Sequence, residues 1–424
     1  MIKAIKGTRD ILPPESAQWS RLEAVAREIL ELYGFAEVRT PIFESTELFT
    51  RGVGEDTDIV SKEMYTFEDR DDKSLTLRPE GTAPVVRAHI EHQLHKELFI
   101  TKLYYLGPMF RRERPQKGWY RQFHQIGAEV LGSDNPAIEA EVLEMLQFFL
   151  RRIGIDDQTL LVNSIGCLNC RPRFLEELKR ALSEKKSSLC ADCQRRTETN
   201  PLRVLDCKVE SCQPIIDSLP KITDFLDEAC RTHFDKFLEY LTGRHISFTI
   251  VPRLVRGLDY YTRTTFEITS GTLGAQNTIV GGGRYDGLAE ALGGPPLKGF
   301  GFALGLERIL LVLQQSGKQA QLPSPQLFLA PLGQPAFEKA TLLALDLRQR
   351  GIRCVLDFET RSLKSALRLA NKVNAQHVLI LGDSELQSGD YLLKRMADGT
   401  QRRVRESEIF RALQDTVVSL QETK

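Results

Sequence analysis

The 424-residue sequence predicts an α+β domain, an antiparallel sheet flanked by helices, interrupted by a helical insertion and followed by a separate α/β domain. Three observations predict it. Two β-like runs, 101–112 and 121–131, are joined by the charged loop Glu113 to Tyr120, the pattern of a long antiparallel hairpin. Residues 166–246 change character, being helical, charged and rich in cysteine. Beyond the polar run QQSGKQAQLPSPQ (314–326), short apolar strands (LFLAPL, IRCVLDF, HVLILG) alternate with helical patterns at 337–350 and 361–373. Residues 1–325 therefore form the first domain, with its insertion at about 166–246, and 327–424 the second.

The elements follow in order. Trp19, Leu22, Val25, Ile29 and Leu32 recur at helical spacing after Ser16, and Gly34 ends the run. FAEVRTPIFE (35–44) is β-type, but Pro41 inside it points to an edge or an interface. SLTLR (74–78) reads as a strand running into Pro79-Glu80-Gly81-Thr82. Asn135 to Ile153 reads as a helix. The β pattern resumes at ISFTIVPRLVRGLDYYTRTTFEI (246–268), and the glycines 281–283 suggest a turn or close backbone approach to a ligand. GFGFALGLERILLVLQ (299–314) reads as a strand entering an apolar helix.

Composition sets bounds. Hydrophobic residues make up 42% and charged residues 27%, a soluble globular balance. The formal net charge is +0, so any nucleic-acid contact must come from local patches. MIKAIKGTRDILPPES has no apolar core of a signal peptide, and no apolar run reaches the roughly 18 residues of a membrane span. A cytoplasmic chain with no membrane contact is expected. Six of the eight cysteines fall between Cys167 and Cys212. Cys167-x2-Cys170, 19 residues, then Cys190-x2-Cys193 is close to a four-cysteine structural Zn²⁺ spacing, with Cys207 and Cys212 as spare ligands. Free thiols in a reducing compartment are the alternative.

The hairpin bears Arg111, Arg112 and Arg114 at one end and Gln125, Gly127 and Glu129 on one face of its returning strand. Guanidinium groups bind phosphate, and a carboxylate on the same sheet can bind an amine or an imidazole. A solvated charged hairpin would show the same residues. The other polar blocks are Arg78-Pro79-Glu80-Gly81-Thr82, Arg256 to Tyr261, and Arg308 at the start of the apolar helix.

These blocks together carry a resemblance. FRRER with QFHQIGAE, and GFALGLER, are similar to the second and third signature motifs of class II aminoacyl-tRNA synthetases, and the proline of RTPIFE to the first. LVRGLDYYTRTTFE and GGGRYDGL resemble the two blocks peculiar to histidyl-tRNA synthetases. The similarity covers nearly the whole chain, in the expected order.

The resemblance implies a class II catalytic domain and a C-terminal anticodon-binding domain. It implies ATP-dependent attachment of L-histidine to tRNA(His) through a histidyl-adenylate, with Mg²⁺ accompanying ATP, in a homodimer joined around Pro41. Arg111 then meets the ATP α-phosphate, Arg308 the γ-phosphate side, and Glu113 the nucleotide. Arg256 lies between the histidine carboxylate and the α-phosphate, so Arg111 and Arg256 carry catalysis. Glu80, Thr82 and Gln125 hold the α-amino group. Glu129 and Tyr261 read the imidazole, with Tyr260 beside them. Gln116 is expected to face the tRNA acceptor end. Arg361, Lys364, Arg368 and Lys372, spaced 3, 4 and 4, form a basic stripe expected to meet tRNA. Two other readings remain. One is a non-catalytic paralogue like the regulatory subunit of ATP phosphoribosyltransferase, which typically lacks such residues and the last domain. The other is a class II synthetase for a different amino acid, against which RGLDYY argues.

Overall fold

The computed structural model describes residues 2–55, 57–114, 118–274, 277–318, 324–359 and 362–421. The chain divides into two compact units, Met1–Ala320 and Gln321–Lys424, and the polar run 314–326 spans their junction.

In the first unit the strands are β1 (Ala36–Glu37), β2 (Phe43–Ser45), β3 (Tyr65–Glu68), β4 (Ser74–Leu77), β5 (Thr101–Phe110), β6 (Gln122–Leu131), β7 (Gln158–Ser164), β8 (Thr249–Ile250), β9 (Thr262–Ser270), β10 (Thr278–Arg284) and β11 (Gly299–Gly305). Among the described residues, eight of them form one sheet in the order β1-β5-β6-β11-β10-β9-β7-β8. Its pairings are antiparallel except for β1 with β5 and β7 with β8. The expected hairpin is β5–β6, in register from Thr101↔Leu131 to Phe110↔Gln122. A small sheet, β2-β4-β3, stands apart from it.

The helices of this unit are α1 (Glu15–Leu32), α2 (Thr46–Val53), α3 (Thr82–Glu91), α4 (Pro136–Arg152), α5 (Arg171–Glu184), α6 (Ala191–Thr199), α7 (Gln213–Asp217), α8 (Glu228–Gly243), α9 (Leu288–Ala291) and α10 (Leu306–Gln315). Helix α4 starts where sequence predicts: Asn135 accepts from the Ala137 amide at 2.9 Å, and Pro136 fills the first turn. The β-type stretch 35–44 is broken into β1 and β2, which join different sheets. Between them the Arg78 guanidinium takes the Thr40 carbonyl at 3.1 Å, so a side chain replaces the ladder there.

The two faces of the large sheet differ. Ile126, Ala128 and Val130 of β6, Phe266 and Ile268 of β9, and Phe300, Phe302 and Leu304 of β11 point into one core with α1, α4, α8 and α10. Alternation sends Gln125, Gly127 and Glu129, Thr265 and Glu267, and Gly301, Ala303 and Gly305 to the other face. One transverse row reads Tyr105, Gly127, Ala303, Gly281, Glu267. Its middle is almost without side chains, which hollows a trough across the sheet. The glycines 281–283 thus lie within β10 rather than in a turn.

The insertion between β7 and β8 packs Phe174, Leu178, Leu182, Leu189, Val204 and Cys212 into a core of its own, continuous with Val255 and Tyr261. The second unit carries β12 (Leu327–Pro331), β13 (Cys354–Leu356), β14 (His377–Leu381), β15 (Asp390–Arg395) and β16 (Gln401–Arg405), with α11 (Gln334–Gln349), α12 (Leu363–Lys372), α13 (Asp383–Ser388) and α14 (Glu406–Gln421). Its sheet order is β13-β12-β14-β15-β16, with β12 parallel to both neighbours. Leu327, Leu329, Leu379 and Leu381 enter one core, and Phe328, Ala330, Val378 and Ile380 the other. Two buried faces explain why these strands read as unbroken apolar runs.

Candidate active site

A cavity of about 570 Å³ lies over the trough. Glu80, Thr82, Arg111, Glu113, Gln125, Arg256, Tyr260, Tyr261 and Arg308 all line it. Residues from positions 80 to 308 are thereby brought together from strand β6, the first turns of α3 and α10, and three loops.

One end is acidic and buried. Glu80 accepts the amides of Thr82 and Ala83 at 2.8 and 2.9 Å, capping α3, and receives the Tyr260 hydroxyl at 3.3 Å. Thr82 donates its hydroxyl to Glu129 at 2.8 Å, and Tyr285 donates to the other Glu129 oxygen at 2.6 Å. Glu129 is fully buried just beneath the lining. Burial pushes its carboxyl up to about 8, with the bonds from Tyr285 and Thr82 opposing. Burial also raises Glu80, against the amides of Ala83 and Thr82. Space for Glu129 exists because residue 301 is glycine: a Cβ there would sit 1.8 Å from its Oε2. Gln125 lines the cavity, and its Oε1 is buried without a protein partner.

The other end is basic. The Arg111 Nε donates to the Pro79 carbonyl at 2.9 Å, and its guanidinium lies 5.3 Å from the Phe123 ring. The Arg308 Nε donates to the Thr278 carbonyl at 2.7 Å, with its head 5.3 Å from the Trp119 ring. Arg256 pairs with Glu267, whose other oxygen accepts from the Thr278 hydroxyl at 2.7 Å. Its cationic form is disfavoured by burial, yet Glu267 and Tyr261 more than restore it, so its pKa is raised. Arg256 stands directly over Gly281, where a Cβ would be 2.2 Å from its Nη2. These bonds hold each guanidinium in a fixed orientation along the cavity.

Glu267, Thr278 and Tyr285 belong to the site but were not singled out by sequence reasoning. Glu267 carried a signal, being a charge inside the apolar strand TTFEI. Tyr285 falls in the block GGGRYDGL, but its bond to Glu129, 156 residues away, is not visible in the sequence. Arg284 beside it is structural: fully buried, it donates to Glu139 at 2.7 Å and to Asp286 at 2.9 Å.

Two expectations need correction or limits. Cys167, Cys170, Cys190 and Cys193 do not form one set. Each C-x2-C pair instead joins its own partners, Cys207 and Cys212 for Cys190 and Cys193, and Asp227 and Cys230 for Cys167 and Cys170. Among the residues expected to meet tRNA, Lys364 and Arg368 are exposed on α12, while Gln116 and Arg361 lie outside the described residues.

Comparison with known proteins agrees with this geometry. The family described as histidyl-tRNA synthetase matches residues 7–309, and the anticodon binding domain family matches 326–416. The histidine–tRNA ligase of Solibacter usitatus is 55% identical over 410 residues, covering 96% of this chain and 98% of that one. That of Koribacter versatilis is 52% identical over 420 residues, covering 96% and 95%. The crystal structure of apo S. aureus histidyl-tRNA synthetase superposes with a TM-score of 0.82 at 37% identity, covering 97% of this chain and 100% of the other. A class II synthetase sheet bearing this cavity, an anticodon-binding unit following it in sequence and identity near one half over almost the full length leave one conclusion: the chain belongs to the histidyl-tRNA synthetase family.

Proposed function

We propose that this chain is the ligase that joins histidine to tRNA(His) in two steps at the cavity over the trough. In the first, a histidine carboxylate oxygen attacks the α-phosphorus of ATP. The bond from that phosphorus to the bridging oxygen breaks, and pyrophosphate leaves. In the second, a ribose hydroxyl of tRNA attacks the adenylate carbonyl and AMP leaves. Both first-step reactants are anions, so positioning and fixed positive charge must supply most of the rate. Arg111 and Arg256 bracket the place of reaction, and Arg308 receives the far phosphates. No side-chain nucleophile is required.

Glu80, Thr82 and the unpartnered Gln125 oxygen offer acceptors to the α-ammonium group. Glu129 and Tyr261 supply partners for the two imidazole nitrogens. A pocket whose buried polar groups would be left unpaired rejects apolar analogues strongly. The carboxylates Glu113 and Glu267 line the same cavity, a donor set that fits Mg²⁺, which prefers one or two carboxylates plus phosphate oxygens. Bound there with ATP, the ion would neutralise charge on departing pyrophosphate. The supporting observation is that one cavity is lined by Arg111, Arg256 and Arg308 and by Glu80 and Thr82, with Glu129 bonded to Thr82 beneath the lining. ATP–pyrophosphate exchange tested with each of the twenty amino acids checks it. Exchange with histidine alone is expected, and silence would favour a non-catalytic paralogue.

The working form we propose is a cytoplasmic homodimer. Among the described residues no helix is long and apolar enough to cross a membrane. Around Pro41, Ile42 (45%), Phe43 (53%) and Phe67 (44%) are exposed, with the two phenyl rings 6.4 Å apart. An apolar patch of this kind marks an interaction surface. Phe43→Glu should shift the mass measured by light scattering from two chains toward one. An unchanged two-chain mass would remove the patch from the interface.

A further inference from the structure

We propose that the insertion holds two separate structural zinc ions, one on Cys190, Cys193, Cys207 and Cys212 and one on Cys167, Cys170, Asp227 and Cys230.

The spacing of the ligand atoms carries the argument. Within each group of four they lie within 4.8 Å of one another. A tetrahedral Zn²⁺ with Zn–S bonds of about 2.3 Å sets its sulfurs roughly 3.8 Å apart. The Sγ separations are 3.9 Å for Cys190–Cys207, 3.7 Å for Cys167–Cys170 and 3.9 Å for Cys170–Cys230. An iron–sulfur cubane would hold four thiolates further apart, because four irons stand between them. Hence both the ligand count and the ligand spacing select a single tetrahedral ion in each group.

The backbone is arranged for thiolates. The Cys167 amide donates to the Cys170 sulfur at 3.1 Å and the Asn169 amide to the Cys167 sulfur at 3.4 Å. In the other group, the Cys190 amide donates to the Cys212 sulfur at 3.3 Å and the Val209 amide to the Cys207 sulfur at 3.4 Å. Such amide donors stabilise sulfur carrying negative charge and orient it toward a metal. Gly166, at φ +67°, admits this packing, since a Cβ there would lie 2.7 Å from the Cys170 sulfur. Asp227 caps α8 by accepting the Cys230 amide at 2.7 Å through Oδ1, which leaves Oδ2, 3.2 Å from the Cys167 sulfur, as ligand.

Both groups are closed. Each has at most two half-buried members, the rest being buried, so four protein ligands would complete the ion and leave no position for substrate. Their place explains a use. Asp206 and Lys208, on either side of Cys207, line the active cavity. Arg171, next to Cys170, donates to the Tyr261 carbonyl at 2.6 Å. Metal binding would thus brace the wall of the cavity built by the insertion.

The test does not pass through catalysis, so it stands or falls separately from the proposed reaction. Full-length protein, reduced, incubated with Zn²⁺ and desalted, is expected to retain two zinc ions per chain by native mass spectrometry. X-ray absorption should give an average of about 3.5 sulfurs and 0.5 oxygen per zinc. Cys193→Ser and Cys230→Ser should each lower the retained zinc by one. If either variant fails to fold, the absorption average on the unaltered chain still decides. Retention of fewer than two ions by the reduced protein, or loss of the same ion in both variants, would overturn the proposal.

Discussion

Arg256 lines the cavity with its guanidinium held between Glu267 and the Tyr261 ring. Arg256→Ala removes a fixed charge from where the new phosphate ester forms. Histidine-dependent pyrophosphate exchange should fall by about 10²–10³-fold or more, the scale of losing one preorganised donor. The melting temperature should move little, because Glu267 keeps its Thr278 partner and the cavity is partly open to water. Normal exchange in this variant would remove Arg256 from the reaction.

Glu129 makes a prediction of opposite character. Its carboxyl rises from an ordinary 4.5 to about 8 on folding, chiefly through burial. A group with a raised acid pKa keeps its proton in the fold while the unfolded chain loses it. Stability is therefore lost as pH climbs from about 4.5 to about 8, by at most about 1.4 kcal/mol per pH unit, and levels off above. Glu129→Gln cannot ionise, so its melting temperature relative to the parent should improve between pH 5 and 8 and then stay constant. Histidine use should drop far more than ATP binding. A variant whose relative stability is flat across that range, or which loses histidine and ATP equally, contradicts the role given to Glu129. Arg111, Arg256 and Arg308 were legible in sequence because each sits in a short contiguous block. The Tyr285–Glu129 bond was not, because it depends on the register of β10 and β6 against β11.

At the scale of elements, the hairpin β5–β6 was readable because its two strands are neighbours in sequence and only a loop intervenes. Strand β7 was not singled out, and its antiparallel partner β9 begins nearly a hundred residues later. The glycines of β10 left a turn open as an alternative for a physical reason. Glycine is poor in strands on its own account, yet here it serves the ligand face, where side chains would fill the trough. Gly281 tests this directly. A Cβ at this position would meet the Arg256 Nη2 at 2.2 Å, and that contact is the mobile end of a side chain rather than backbone. Gly281→Ala should therefore fold, with a melting temperature within a few degrees of the parent, and lose exchange activity by displacing Arg256. Loss of folding instead would mean that the strand itself, not the guanidinium, needs the glycine.

For the whole molecule, the cysteine spacing along the chain suggested one four-thiol set, but the fold draws each pair to nearer partners in space, and Asp227 and Cys230 lie outside the interval that the spacing displayed. The second unit shows the reverse case. Its alternation of strands and helices is local and was legible, and α12 places Ala366 and Ala370 in the core with Lys364 and Arg368 exposed. A net charge of +0 leaves such local patches as the means of holding RNA. Lys364→Ala combined with Arg368→Ala removes two exposed cations remote in sequence from every residue lining the cavity. Pyrophosphate exchange, which needs no tRNA, should be unchanged. Aminoacylation should show a raised KM for tRNA, and the slope of log affinity against log salt should shrink by about 1.5, the counterion release of two phosphate contacts. An unchanged slope would make these side chains an ordinary solvated face. A fall in pyrophosphate exchange would point to damage to the catalytic unit rather than to RNA binding, so the two readouts separate the roles of the two units.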